Sequence, residues 1–150
     1  MKYKYLVAAL TAITIAGCST KPAVEAEVQE QVVVVNSIAS LYSPSPSEAV
    51  IYYKRADNEY ADWGLHIWSG DVAKATTWFD AFPLTGISEK YGAYYVVPLK
   101  GDDWAKFKFI VHKGNAKDLG GLDHDYSRVK FGQDVFTTEG SIVLQADPVN

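Results

Sequence analysis

Cysteine and basic residues are both scarce in this chain of 150 residues. The single cysteine, Cys18, excludes an internal disulfide, and its place near the start makes it a poor catalytic thiol. Lys and Arg number 14 against 18 Asp and Glu, so the net charge is −4 and no basic stripe suits nucleic acid. With 48% hydrophobic and 21% charged residues, the composition is that of one soluble globular domain.

The sequence patterns of common catalytic and cofactor sites are missing too. There is no nucleophile-elbow glycine pattern and no glycine-rich phosphate loop. The nearest approach to a metal site is Asp123–Asp125, an Asp-His-Asp run. Neighbouring residues of a strand face opposite ways, so these three converge only in a special loop geometry. We predict a protein that is not an enzyme and that needs neither a metal nor a cofactor.

No apolar run is long enough to span a bilayer, but a short one opens the chain at residues 6–17. It ends at Ile15–Cys18, reading Ile-Ala-Gly-Cys, which resembles the lipobox of bacterial lipoproteins. The resemblance implies a signal peptide of residues 1–17 and a lipid such as palmitate on Cys18. Ser19 stands where lipoproteins of the inner membrane typically carry Asp, which favours the outer membrane or cell surface. The alternative is a free cysteine in an ordinary signal peptide.

The stretch after the cysteine has the composition of a linker. Residues 18–48 have Tyr42 as their one aromatic and are otherwise rich in Ser, Pro, Glu and Gln. Ser43–Ser47 alternates Ser with Pro, which cannot hold a helix. We predict a lipidated flexible tether over 18–48 and a folded module over 49–150.

The module reads as short β-like runs separated by turn residues, with no convincing long helix. About seven strands at regular spacing predict an all-β fold, an antiparallel β-sandwich of immunoglobulin-like type. Residues 72–90 are ambiguous, and 114–125 read as a polar loop. The predicted strands are Ala49–Arg55, Asp62–Ser69, Ala93–Leu99, Trp104–His112, Arg128–Phe131, Val135–Thr138 and Ser141–Gln145.

The strand Asp62–Ser69 carries the feature that indicates a binding site. Trp63 shares one side with two aliphatic residues, which predicts a core face, whereas His66 and Trp68 share the other side. A large aromatic on the non-core face suggests a binding platform; the alternative is a strand buried on both faces. A flat indole among polar neighbours suits a sugar ring, whose face is apolar and whose edge is polar.

Four stretches of the module have the order and spacing of a known family. Val50–Arg55, Trp63–Trp68, Tyr91–Tyr94 and Phe109–Asp118 together resemble the pullulanase-associated α-glucan-binding module, carbohydrate-binding module family 41. The resemblance covers about residues 48–147. It implies an immunoglobulin-like sandwich that binds amylose, pullulan and related α-glucans without cleaving them.

The resemblance also implies a ligand-binding site. His66 and Trp68 would stack on consecutive glucose rings, and Lys117 and Asp118 would hydrogen-bond vicinal hydroxyls with the added strength of a charged partner. Some members have Trp at the position of His66 and a further aromatic near Asn115. Both residues are polar here, which predicts weaker binding.

Two functions of different classes follow. The first is a lipid-anchored module that binds starch, pullulan or malto-oligosaccharides, either on its own or as the N-terminal part of a pullulanase. The second is a structural or adaptor lipoprotein of the envelope, whose aromatic face docks another protein.

Overall fold

The computed structural model describes residues 36–38, 40–101 and 103–146, so Cys18 and the predicted lipobox lie outside the described residues. In this part of the chain no helix has the length and apolarity needed to cross a membrane. The elements are β1 (Asn36–Ile38), β2 (Glu48–Lys54), β3 (Gly64–Gly70), β4 (Gly86–Ser88), β5 (Gly92–Pro98), β6 (Lys106–Lys113), β7 (Ala116–Lys117), β8 (His124–Ser127), α1 (Arg128–Phe131) and β9 (Asp134–Thr138).

The strands form two sheets, which confirms the predicted all-β sandwich. The first sheet has the order β1-β4-β5-β2-β9, and the second has β3-β6-β7 with β8 also paired to β6. The pairs β2–β5 and β3–β6 are antiparallel, but β1–β4 and β2–β9 are parallel. The first sheet is therefore mixed rather than purely antiparallel: β1 runs parallel to β4, and β9, which follows β8 of the second sheet, runs parallel to β2.

Alternating side chains build the core between the sheets. In β6, Phe107, Phe109 and Val111 are buried while Lys106 and Lys108 are exposed, as the period of two predicts. Burying each such side chain stabilises the fold by about 1.5–3 kcal/mol. The partners from the other strands include Ile51, Tyr53, Leu65, Ile67, Tyr95, Val97, Tyr126 and Val135.

The last predicted strands differ from the structure. Residues 128–131 form the single helical turn α1 rather than a strand, because Gly132 N–H closes the turn onto Arg128 O at 2.8 Å. Strand β8 instead precedes the turn and begins inside the predicted polar loop. Residues 141–145 are joined to the sheet by an isolated bridge between Phe136 and Gln145 rather than by a full strand.

The sheet also begins earlier in the chain than the predicted tether boundary at residue 48. Strand β1 pairs with β4, and Tyr42 N–H donates a hydrogen bond of 2.8 Å to Tyr52 Oη. The Tyr42 ring also stacks on Tyr94 at 5.7 Å between ring centres. Tyr52 and Tyr94 belong to the outer face of the first sheet, and Tyr42 covers this aromatic surface. Tyr42 is thus held against the first sheet, and the flexible tether over 18–48 stays a prediction.

Candidate functional site

His66 and Trp68 are neighbours on the face of β3 that points away from the core. Their ring centres are 5.1 Å apart and their planes differ by 25°, so the rings are stacked. Trp68 is 38% exposed, whereas Leu65 and Ile67 are fully buried in the core. This arrangement confirms the alternation predicted for the strand.

A β-bulge places Trp68 in the site. Strand β3 pairs with β6 in regular register as far as Ile67, opposite Phe109, and the next pair is Ser69 with Lys108. Two residues of β3 therefore oppose one residue of β6, which locally kinks and twists the strand. Gly70 follows with φ +105°, and a side chain there would collide with the backbone of Lys106. Because glycine permits this turn, β3 can end directly after the bulge.

Trp78 joins the pair from the irregular segment that follows β3. Thr76 fastens this segment to the strand: its N–H donates to Ile67 O at 3.0 Å, and its Oγ1 accepts from Ile67 N at 2.7 Å. Thr76 Oγ1 also lies 3.0 Å from His66 Nδ1. The Trp78 indole then meets the His66 ring edge-on, at 5.4 Å between centres. We call His66, Trp68 and Trp78 the aromatic platform.

His112 supports the platform from β6. Its ring stacks on Trp78 with centres 4.0 Å apart and planes inclined by 21°. Because a carbonyl oxygen only accepts, His112 Nδ1 is the donor in its 2.9 Å hydrogen bond to Gly114 O. This bond fixes the imidazole in the turn between β6 and β7. His112 lies opposite Gly64 in the strand register, where no side chain of β3 competes for space.

Two of the three polar residues predicted for the site lie against Trp78. The Lys117 ammonium is 5.2 Å from the centre of the indole, a cation–π distance. Trp78 Nε1–H donates to Asn115 Oδ1 over 3.4 Å. Both Asn115 and Lys117 are exposed, so their polar groups also face solvent beside the platform.

Asp118 is directed toward the protein interior instead. Its Oδ1 accepts a 2.7 Å hydrogen bond from Tyr53 Oη, and its Oδ2 accepts from Gly140 N–H at 3.0 Å. Arg55 Nη1 in turn donates to Tyr53 Oη at 3.2 Å. The carboxylate therefore anchors the end of β7 to the core. A direct bond from Asp118 to a ligand stays a prediction.

Burial shapes the protonation of this network. Desolvation is the main cause that raises the pKa of Tyr53, and its hydrogen bond to Asp118 raises it further. The pKa of Arg55 is raised chiefly by its hydrogen bond to Asp57, with which it forms a 2.7 Å ion pair. Arg55 also pairs with Glu139 at 2.8 Å. The Tyr53 phenol is therefore neutral and available to donate at neutral pH.

The His66 imidazole is neutral at neutral pH as well. Desolvation is the main cause that lowers its pKa, and the neighbouring His112 lowers it as well. Lys117 lowers the pKa of His66 further. An uncharged ring keeps its weak hydration and can stack on apolar surface, so the platform presents flat rings rather than a cation.

The remaining tryptophans lie off the platform. Trp63 packs against the core as predicted, but it is only partly buried; its ring centre is 5.9 Å from that of Tyr53. The Arg55 guanidinium lies over the indole at 4.4 Å. Trp104, the first residue of the predicted strand Trp104–His112, is 60% exposed and lies in the turn before β6, which begins at Lys106.

The Asp123–Asp125 run does not converge on a point. His124 is buried and stacks on Phe109 at 4.6 Å between ring centres, while Asp125 is exposed and pairs with Lys108 at 3.2 Å. Within the described ranges, no group of three His, Cys, Asp or Glu residues is placed to hold a metal ion.

Sequence reasoning missed Trp78 and His112. Trp78 lies in a segment without periodicity, so no pattern assigned it to a face. His112 did carry a signal, because the alternation of β6 placed it on the side opposite Phe107 and Phe109. The pairing of β6 with β3 places this face of β6 beside the platform. A pattern within one strand cannot predict which strand lies next to it.

Residues 47–144 match the sequence model of a family described as the bacterial pullanase-associated domain. The chain is also 47% identical over 74 residues to an alpha-amylase of Streptomyces lividans. That match covers 49% of this chain and 8% of the amylase, so the chain spans a small part of this relative.

Solved structures with the same fold come from pullulanases and streptococcal proteins. A Klebsiella pneumoniae pullulanase complexed with maltotriose matches with a TM-score of 0.61 and 24% identity, over 77% of this chain and 12% of the pullulanase. A streptococcal structure described as alpha-glucan recognition by family 41 carbohydrate-binding modules matches with a TM-score of 0.60 and 23% identity. The latter match covers 71% of this chain and 50% of that one. These likenesses show the shared fold.

Proposed function

Because the chain belongs to the bacterial pullanase-associated domain family, we propose that it binds α-glucans on the aromatic platform. The observation that carries the proposal is the stacked pair of the partly buried His66 and the exposed Trp68, on a strand whose other face is core. Support comes from the streptococcal family 41 modules described as recognising alpha-glucan and from the Klebsiella pullulanase complexed with maltotriose.

Stacking supplies the attraction to the sugar. The apolar face of a glucose ring packs on the exposed side of the stacked His66 and Trp68 pair, and the apolar area removed from water contributes about 25 cal/mol per Å². The ring centres of Trp78 and His66 are 5.4 Å apart and the two rings are nearly perpendicular. Trp78 therefore forms a side wall of the site and does not extend the stacking surface. Successive sugar rings rest on the stacked pair and contact the edge of this wall.

Polar groups around Trp78 orient the sugar. The Lys117 ammonium has three donors, and the Asn115 amide has both donors and acceptors, so together they can hydrogen-bond vicinal hydroxyls. Bonds from the charged Lys117 are the stronger ones. Asp118 acts on the same loop through its hydrogen bonds to Tyr53 and Gly140, which hold Lys117 beside the indole. Binding requires no bond to be made or broken.

The matched relatives indicate that the module works together with a glycoside hydrolase. The matched family is defined by its association with pullulanases, and the matched solved pullulanases are about eight times longer than the matched region. We propose that it holds polysaccharide near a glycoside hydrolase, in the same chain or in the same envelope. A lipid on Cys18 would keep this activity at the outer membrane or cell surface.

Affinity electrophoresis tests the proposal. The protein is run on native gels with and without amylopectin, beside Trp68→Ala and a non-binding protein of similar charge. We expect retardation of the natural sequence only, because the variant loses the larger ring of the stacked pair. Equal mobility of the natural sequence on both gels would contradict α-glucan binding and leave an adaptor role on the aromatic face.

A further inference from the structure

A cleft of about 740 Å³ opens next to the aromatic platform. It lies between the irregular segment after β3 and the turn that joins β6 to β7. Trp63 and Gly64, where β3 begins, line one part of it, and Phe79 and Phe82 line another. His66 and Trp68, on which the sugar is proposed to stack, do not line this space.

The cleft is continuous with the platform. Trp78 is a platform residue and lines the cleft as well, and its partners His112 and Asn115 do the same. Strand β3 leads from Gly64 at the cleft to Trp68 on the platform. Four residues at roughly 3.3 Å each separate these two positions by about 13 Å. A linear ligand that lies along β3 on the platform would therefore continue past Trp78 into the cleft.

The wall of the cleft is held in place before any ligand arrives. Leu65 N–H donates to Phe82 O at 3.0 Å, and Phe82 N–H donates back to Leu65 O at 2.8 Å. At Gly64, a Cβ atom would lie 3.0 Å from Phe82 O and 3.1 Å from the Ala81 side chain, so the two segments are in close contact. A preformed wall lowers the entropy cost of binding.

The surface chemistry of the cleft suits a sugar. Phe79 is 94% exposed at its rim, and a fully exposed phenyl ring is costly in water unless a ligand covers it. Polar groups stand beside the aromatic surface: Asn115, and Asp62, which pairs with Lys113 at 3.5 Å. Aromatic walls with a few polar groups are typical of small-molecule sites.

We propose that the cleft is a second subsite for the same α-glucan chain and takes the glucose units that extend beyond the platform. This inference rests on the proposed function. Its consequence is a preference for long chains: a trisaccharide occupies the platform alone, whereas a heptasaccharide reaches both subsites. The added binding free energy equals that of about one aromatic contact, so the heptasaccharide should bind roughly 2- to 12-fold more tightly than the trisaccharide.

Titration with maltotriose and maltoheptaose tests the subsite. The variants are Phe79→Ser in the cleft rim and the matched control Trp104→Ser, another exposed aromatic that lies outside the cleft. We expect Phe79→Ser to remove the gain for maltoheptaose and to leave maltotriose unchanged. Trp104→Ser should alter neither affinity. Equal affinity of the natural sequence for both sugars would overturn the subsite while leaving α-glucan binding intact.

Backbone amide NMR of the natural sequence gives a second readout that needs no variant. We expect the amides of Ala61, Gly64 and Ala81 to shift with maltoheptaose and to stay in place with maltotriose. Unmoved cleft amides with a bound heptasaccharide would overturn the subsite. Cleft shifts that depend on protein concentration without sugar would assign the cleft to a second copy of the chain instead. Absence of any sugar-dependent shift, on the platform as well, would remove both proposals.

Discussion

The Trp78 indole rests on the His112 imidazole, with ring centres 4.0 Å apart and planes 21° from parallel. Trp78 comes from an irregular segment, and His112 from the end of a core strand. The hydrogen bond to Gly114 O fixes the His112 imidazole. Strand β6 therefore holds the Trp78 indole more firmly than the irregular segment of Trp78 could by itself. The platform is thereby preorganised for a flat ligand.

Replacing His112 tests this support. We expect His112→Ala to weaken maltoheptaose binding roughly 2- to 12-fold, the value of one aromatic contact, because Trp78 loses the ring beneath it. His112→Phe should restore most of the affinity, since a phenyl ring can also stack on the indole. Calorimetric titration measures both. If His112→Phe binds as weakly as His112→Ala, stacking alone does not hold Trp78, and the hydrogen bond from His112 Nδ1 to Gly114 O is required as well.

Variants of Trp68 and Trp63 should distinguish a binding role from a structural role. Trp68→Ala should leave the midpoint of thermal unfolding nearly unchanged and weaken binding by roughly 2–3 kcal/mol, about 30- to 150-fold. Trp63→Ala should destabilise the fold, but by less than the roughly 3–5 kcal/mol typical of a fully buried aromatic, because Trp63 is only partly buried. Thermal unfolding beside titration measures both quantities. Collapse of the fold in Trp68→Ala would contradict a binding role for Trp68 and make it a core residue.

The bond between Tyr53 and Asp118 distinguishes an anchor from a sugar ligand. Tyr53→Phe removes a buried hydroxyl that donates to Asp118 and accepts from Arg55 Nη1, so we expect a loss of about 1–3 kcal/mol in the free energy of unfolding, together with weaker glucan binding. Asp118→Asn should have a similar effect, since the amide offers one accepting oxygen to the two donors Tyr53 Oη–H and Gly140 N–H. If the two act through one bond, the double variant loses less than the sum of the singles. Strict additivity, with Tyr53→Phe binding normally, would make Asp118 a direct ligand.

Acid should destabilise the protein through His124. Burial is the main cause that lowers the pKa of His124 from 6.5. The unfolded chain therefore takes up a proton below about pH 6.5 while the folded chain does not, so the free energy of unfolding falls as the pH falls from there through the folded pKa. His66, whose pKa is lowered too, adds a change of the same sign.

The variant His124→Phe isolates this contribution. A phenyl ring can keep the stacking on Phe109 but binds no proton, so its stability should fall less between pH 6.5 and pH 5 than that of the natural sequence. Urea unfolding at several pH values measures the slope. Parallel curves for the two proteins would show that His124 does not titrate in this range.

Lipidation at Cys18 is tested in cells. We expect Cys18→Ser to prevent labelling by radioactive palmitate and to leave the protein soluble or uncleaved at the inner membrane. An ordinary signal peptidase site would tolerate the same change. Labelled palmitate on the Cys18→Ser protein would show that the lipobox prediction is wrong.

The sequence by itself determined the features that repeat at the period of a strand. Alternation along β3 and β6 predicted which side is core and that Trp68 faces away from it, because neighbouring side chains of a strand leave on opposite faces whatever surrounds them. Motifs in order also predicted the family, which the match over residues 47–144 confirms.

Only the tertiary structure decided what depends on residues far apart in the chain. Three features join segments that share no local pattern. They are the parallel pairing of β1 with β4 and of β9 with β2, the stacking of Trp78 on His112, and the hydrogen bond from Tyr53 to Asp118. Such pairs form when the two sheets pack and bring distant rings and hydrogen-bonding groups together. Packing of the whole core, rather than the preference of any one segment, therefore sets the geometry of the site.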